Sequence, residues 1–222
     1  MAAVDVGVQH GWGFGAWSWD AWRDLMPAGF VLHAPDRGYF GQRVDIDPLC
    51  PQIVVAHSLG LHLLAPVWFA TAELVVVVSS FGFFHSRCAK QARYSRRTIE
   101  RMLVRLEHEP EALLSDFYTR SCAPRVSSLT VGESVCVERL RVDLELLQES
   151  EFDPERVAAE SRVLFLHGSD DRIVPMERAE ELHGRISEST MSIFEGAGHS
   201  LPITHARECW REIEQVWRRM RS

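Results

Sequence analysis

The chain has 222 residues, 46% of them hydrophobic, which is enough for one sizeable core and sets a single α/β domain as the expectation. A net charge of −7 argues against nucleic acid as a partner, and no stretch reaches the ~18 uninterrupted apolar residues of a membrane span. The start, M-A-A-V-D-V-G-V-Q-H-G, lacks the basic residues and apolar run of a secretory signal, so a cytoplasmic location is expected.

Five cysteines, Cys50, Cys88, Cys122, Cys136 and Cys209, are scattered without a C-x-x-C pair. They are expected to be reduced thiols, mostly buried, with neither a disulfide framework nor a zinc site.

Residues 3 to 9, A-V-D-V-G-V-Q, form a predicted strand that runs into H-G-W-G-F-G-A-W, where three glycines mark a loop that bends sharply or approaches something closely. From Ala16 to Met26 a predicted helix puts Trp19, Trp22 and Met26 on one face, read as core packing. A second strand, G-F-V-L-H-A (29 to 34), leads into the turn-rich P-D-R-G-Y-F-G-Q, and Arg43 to Pro51 is too short and proline-rich for a helix.

The apolar run Ile53 to Ala56 suits a buried parallel strand, and Leu59 to Ala65 suit a helix that starts at once. A strand that turns straight into a helix holds its central residue, here Ser58, in a strained conformation above the sheet. Small residues two before and two after, Ala56 and Gly60, let the backbones approach. Taken alone, A-H-S-L-G fits a helix N-cap serine at least as well.

Glu73 to Ser80, with V-V-V-V, is a further buried strand. Residues 81 to 152 then carry no strand-like run; they break at Pro110 and Pro124 into predicted helices over 95–108, 111–120 and 134–149, the first amphipathic through Ile99, Met102, Leu103 and Leu106. The strand pattern resumes at Arg162 with V-L-F-L-H-G, followed by a helix over 175–185, the strand M-S-I-F-E-G and a last helix over 206–219.

A serine hydroxyl is a weak nucleophile that needs a base to take its proton and a third group to hold that base in one tautomer. G-S-D-D-R-I-V-P and G-A-G-H-S-L-P, each directly after a predicted strand, offer Asp170 or Asp171 and His199 at the carboxyl edge of the sheet. For His57, beside Ser58, a place in the acyl pocket and a structural role both stay open, as a structural role does for His10, His62 and His205.

Together these segments resemble the α/β-hydrolase superfamily. A-H-S-L-G resembles its G-x-S-x-G elbow with Ala for the first Gly, H-G-W-G its oxyanion loop, P-D-R-G-Y-F-G-Q its D-x-P-G-F-G-x-S loop, and the order Ser58, Asp, His199 its triad. The resemblance implies an α/β-hydrolase fold with a trimmed, mainly parallel sheet that lacks the first antiparallel hairpin. It divides the chain into a core over 1–80 and 153–222 and a helical cap over 81–152. It makes Ser58 the nucleophile, His199 the base and Asp171 the acid in preference to Asp170, with backbone N–H groups of Trp12 and Leu59 as the oxyanion hole and no metal or organic cofactor.

A serine rather than an aspartate nucleophile implies ester or thioester chemistry. H-G-W-G, H-S-L-G, a cap the size of four helices, R-R-T-I-E-R-M-L and G-A-G-H-S-L-P-I-T-H are similar to the family of pimeloyl-acyl carrier protein methyl ester esterases of biotin synthesis. That implies an acyl ester, free or borne by an acyl carrier protein, as substrate. The absent hairpin, Ala56 and Leu61 depart from the pattern, and two alternatives stay open: a general short-chain carboxylesterase or thioesterase, and a non-catalytic hydrolase-like binding protein.

Between Ser86 and Arg105 the chain carries Arg87, Lys90, Arg93, Arg96, Arg97, Arg101 and Arg105 against one acid, Glu100. Arg93, Arg97, Arg101 and Arg105, spaced at i,i+4, are expected to face away from the apolar stripe as a docking surface for an acidic carrier, the alternative being a solvated face paired with glutamates.

Overall fold

The computed structural model describes residues 3–46 and 50–222. β1 (Val4–Gln9) ends at the glycine-rich loop, and a 3₁₀ turn (Ala16–Trp19) leads into α1 (Asp20–Leu25) and β2 (Phe30–His33). Residues 43–46 form no helix, and Asp36 bridges Val44 there; the middle of the 43–51 connection, residues 47–49, lies outside the described residues.

Next come β3 (Ile53–His57), α2 (Gly60–Leu63), α3 (Pro66–Thr71) and β4 (Leu74–Val78). Three helices follow, α4 (Ala89–His108), α5 (Pro110–Cys122) and α6 (Val137–Glu149). The chain closes with β5 (Arg162–Gly168), α7 (Met176–His183), β6 (Ser189–Phe194), α8 (Leu201–Thr204) and α9 (Ala206–Met220).

The six strands are all parallel, in the order β2-β1-β3-β4-β5-β6, and among the described residues no antiparallel hairpin precedes β1. Strand side chains alternate between faces. Val6, Val8, Ile53, Val55, Leu74, Val76, Leu164 and Leu166 pack on one side with Trp19, Trp22, Trp210 and Ile213 from α1, α9 and the turn before α1. Val54, Ala56, Val75, Val77, Val163 and Phe165 pack on the other with Trp68, Phe69 and Leu182. Burial on both faces is why β3 and β4 read as unbroken apolar runs. The tryptophan stripe is core, as expected: Trp19 and Trp22 meet edge to face at 5.0 Å, and Trp22 Nε1–H donates to Pro202 O at 2.8 Å.

Two expectations need correction, one on a helix end and one on cysteine burial. The helix expected over Leu59 to Ala65 ends at Leu63, because Pro66 pushes Ala65 out of the helical region (ψ 137°) and starts α3 instead. The stretch between β4 and β5 holds α4, α5 and α6, where three helices were expected, and a short 3₁₀ turn, Pro154–Arg156, among the described residues. Of the cysteines only Cys122 and Cys209 are buried; Cys136 is half-buried, and Cys50 and Cys88 are exposed, all of them free thiols.

A third apolar cluster joins the three-helix segment to the loops above the sheet, through Trp12, Phe14, Tyr39 and Leu59 on the loops and Ile99, Leu113, Phe117 and Leu144 on the helices. Polar contacts cross the same seam, among them a buried cluster on α6. Asp143 of α6, almost fully buried, takes both Nε–H (2.9 Å) and Nη2–H (2.5 Å) from Arg37 and the Tyr39 hydroxyl at 2.5 Å. Such a fork is bidentate and charge-assisted. Removing one partner strands the other charge, so Asp143→Ala is expected to lower stability by about 3 kcal/mol, the lower end for a buried pair because Arg37 keeps a quarter of its side chain in water. Denaturant titration checks this, and a loss below 1 kcal/mol would contradict it.

Candidate active site

β3 delivers Ser58 to the carboxyl edge of the sheet. Its φ of +54° is left-handed, a strained state for a non-glycine residue, and it is what turns strand into helix without a loop. The two flanking small residues are not equivalent. A Cβ on Gly60 would lie 2.5 Å from Gln9 O, so only glycine fits there without backbone movement, whereas Ala56 sits fully buried in the strand.

His199, in the loop after β6, donates from Nδ1 to Asp171 Oδ2 at 2.7 Å, and its Nε2 is 3.0 Å from Ser58 Oγ. The carboxylate of Asp171 is held in turn. Its Oδ1 accepts from Ile173 N–H at 2.8 Å and Val174 N–H at 2.9 Å, and its side chain is 1% exposed. Asp170, by contrast, is exposed. The fold therefore brings Ser58, His199 and Asp171 into one line and leaves Asp170 outside it.

The glycine-rich loop after β1 crosses directly over Ser58. A Cβ on Gly11 would meet Ser58 Cβ at 2.8 Å, so this loop also requires glycine. Among the described residues neither the Trp12 nor the Leu59 backbone N–H donates to a protein acceptor. The Trp12 indole N–H reaches across to Leu140 O on α6 at 2.7 Å, a contact between residues 128 apart that no local pattern announces.

His57 does not line the cavity. It is buried beneath His199, donating from Nε2 to His199 O at 3.0 Å with ring centroids 4.9 Å apart, and burial, then the neighbouring His199, holds it well below the ordinary histidine range. It stays neutral and supports the His199 loop. His62 is likewise structural, donating to Phe81 O at 3.0 Å and pushed down to about 4 by burial.

A cavity of about 330 Å³ opens from Ser58 and Trp12 at its buried end, between apolar walls from Ile99, Met102, Leu113, Phe117, Leu144 and Leu147. Its rim is charged, with Arg101, Arg105, Arg120, Arg172 and Asp116. Here the expectation for the arginine stripe is corrected. Successive i,i+4 steps drift by about 40° on a helix of 3.6 residues per turn, so the three steps from Arg93 to Arg105 wind partway round α4. Arg93 and Arg97 are exposed away from the cavity, while Arg101 and Arg105 line it. Arg105 is also paired, with Glu109 at 2.5 Å and Asp116 at 2.8 Å. Among the described residues no cluster of three or more His, Cys, Asp or Glu side chains is placed to hold a metal ion, and no helix is long and apolar enough to cross a membrane.

The parallel sheet, the strained serine turn and the order Ser58, Asp171, His199 define an α/β-hydrolase fold. The family described as TAP-like protein matches residues 132–215. The chain is similar to the pimeloyl-[acyl-carrier protein] methyl ester esterase of Aromatoleum aromaticum, 24% identical over 98% of this chain and all of that protein. Among solved structures it is similar to an esterase from Exiguobacterium antarcticum, with a TM-score of 0.80 at 15% identity over 97% of this chain and 92% of that one. A bromoperoxidase from Bacillus anthracis gives a TM-score of 0.78 at 18% identity over 98% and 92%.

Proposed function

We propose that this protein is a serine hydrolase of carboxylic esters, working through an acyl-enzyme. The observation that carries the reading is the hydrogen-bonded line from Asp171 through His199 to Ser58, at 2.7 and 3.0 Å, at the buried end of an apolar cavity. His199 takes the Ser58 proton as Oγ attacks the carbonyl carbon, and Asp171 keeps the proton of Nδ1 in place and stabilises the imidazolium. The oxyanion is met by the N–H groups of Trp12 and Leu59. The alcohol leaves with the proton from His199, and a water deprotonated by His199 then releases the acid. A serine-directed fluorophosphonate should label Ser58 and a p-nitrophenyl ester panel should bound the acyl length. A wild type that takes no label and cleaves no ester would leave the non-catalytic binding reading in its place.

The finer reading is an acyl ester carried on an acyl carrier protein, the methyl ester of a pimeloyl chain being supported by the esterase relative. In it, residues 81–152 form a cap over the site. The exposed Arg93 and Arg97 meet an acidic carrier, while Arg101 and Arg105 receive the arm at the cavity rim. Arg93→Glu/Arg97→Glu is expected to lower kcat/KM on a carrier-bound ester by about tenfold at low salt, an effect that shrinks as salt screens the contact. The same variant should act on a p-nitrophenyl ester within about twofold of wild type. Equal kcat/KM values for wild type and variant on the carrier substrate would rule out this docking face.

A further inference from the structure

Both amides of the oxyanion hole belong to peptides whose carbonyls are pinned by buried side chains. A trans peptide is planar, with its C=O and N–H pointing in opposite directions. Holding the carbonyl of one residue therefore fixes the aim of the next residue's N–H. The Trp12 N–H shares its peptide with Gly11 O, and His10 Nδ1–H donates to that oxygen at 2.9 Å. The Leu59 N–H shares its peptide with Ser58 O, and Ser80 Oγ–H donates to that oxygen at 2.6 Å. In each case the backbone alternative is long. Phe14 N–H is 3.4 Å from Gly11 O, and Leu61 N–H is 3.3 Å from Ser58 O.

We propose that His10 and Ser80 are positioning residues of the oxyanion hole, each preventing one donor peptide from flipping its carbonyl into the place of the oxyanion; this deepens the ester-hydrolase reading and rests on it. Neither touches the reacting atoms. His10 and Ser80 are fully buried, as rigid pegs should be. The His10 tautomer is set from behind, because the Arg37 backbone N–H donates to Nε2 at 3.1 Å, which leaves the ring proton on Nδ1. Burial also keeps His10 below its ordinary range, and so neutral. Ser80 is placed by an unusual strand end. Ser79, directly before it, has a left-handed φ of +46° while its N–H stays bonded to Leu166 O at 2.9 Å.

Loss of one oxyanion donor typically costs 10²–10³-fold in rate, and an unpinned peptide retains the donating orientation part of the time. Ser80→Ala and His10→Leu are therefore each expected to lower kcat on a p-nitrophenyl ester by roughly 10–100-fold. KM should stay within about threefold, as for an interaction made only in the transition state. A trifluoromethyl ketone, which forms the tetrahedral adduct on Ser58, should lose affinity in proportion to the fall in kcat. Conservative variants should restore the rate: Ser80→Thr retains the hydroxyl, and His10→Asn puts an amide N–H where Nδ1–H was. If His10→Leu does not fold, the Ser80 pair and His10→Asn carry the test. Folded Ser80→Ala protein whose kcat and ketone affinity match wild type, with only its melting temperature lowered, would make Ser80 merely structural and overturn the proposal. So would a loss that the conservative variants fail to restore. A wild type that hydrolyses no ester would instead overturn the ester-hydrolase reading, and this inference with it.

Discussion

Ser58→Ala and His199→Ala are each expected to lower ester hydrolysis by about 10⁴-fold or more, and the double variant by no more than the worse single one, since groups that act as one unit are not additive. Ser58 Oγ and His199 Nε2 are 3.0 Å apart, the reach at which a proton can pass as the nucleophile attacks. In the proposed mechanism no acyl-enzyme forms without Oγ, and without Nε2 the hydroxyl keeps its proton. What remains is the rate that binding and the oxyanion amides support alone. His199 is fully buried and bonded to Asp171, so His199→Ala is expected to cost stability as well, and a cooperative melting transition measured beside the rate shows that the lost activity is not lost fold. Alanine inherits the left-handed φ of +54° at position 58, so a small loss of stability is compatible with the reading. A purified Ser58→Ala sample that kept more than a tenth of wild-type activity would show that another nucleophile does the work.

The second large effect separates neighbouring carboxylates. Asp171→Asn is expected to lower kcat by roughly 10³–10⁴-fold, and Asp170→Asn to leave it within about threefold of wild type. The asparagine at 171 can still accept from Ile173 and Val174 through its oxygen, as Asp171 Oδ1 does now. Its NH₂ then faces His199 Nδ1 where Oδ2 stood at 2.7 Å. Two donors cannot face each other, so the ring proton moves to Nε2. The nitrogen nearest Ser58 then has no lone pair to accept the hydroxyl proton. Asp170 is exposed, and the bond it makes from its backbone N–H to Ala197 O at 2.9 Å survives the change to asparagine. Rates of both variants under one condition decide the point. The opposite ranking would move the acid to Asp170 and contradict the geometry.

The placing of Ser58, an aspartate and His199 in turns directly after predicted strands was legible in the residues. The preference for Asp171 over Asp170 came instead from the resemblance to the α/β-hydrolase superfamily, both aspartates lying in one turn. A strand that turns at once into a helix needs a small residue at Gly60, and each of the two late loops directly follows a predicted strand. The exact helix ends were less legible. α4 begins at Ala89, six residues before its predicted start, because a polar first turn carries no apolar periodicity to mark it. The arginine stripe misled for a related reason. Spacing at i,i+4 predicts one face, whereas the drift of the helix carries Arg101 and Arg105 to the cavity rim and Arg105 onto Glu109 and Asp116.

The sequence by itself determined the layers of this protein and the chain order of Ser58, Asp171 and His199. Period-two and period-3.6 hydrophobicity, glycine at positions that tolerate no Cβ, and proline at helix starts all act within a few residues of chain. Only the tertiary structure decided what surrounds the serine: the bond from Trp12 to Leu140, the fork of Arg37 and Tyr39 on Asp143 more than a hundred residues away, and the bonds from His10 to Gly11 O and from Ser80 to Ser58 O. Such contacts depend on which strand ends lie side by side and on where a three-helix segment settles over them. No pattern along the chain encodes that placement, which is selected by burying the apolar faces of distant segments together while leaving few of their polar groups unpaired.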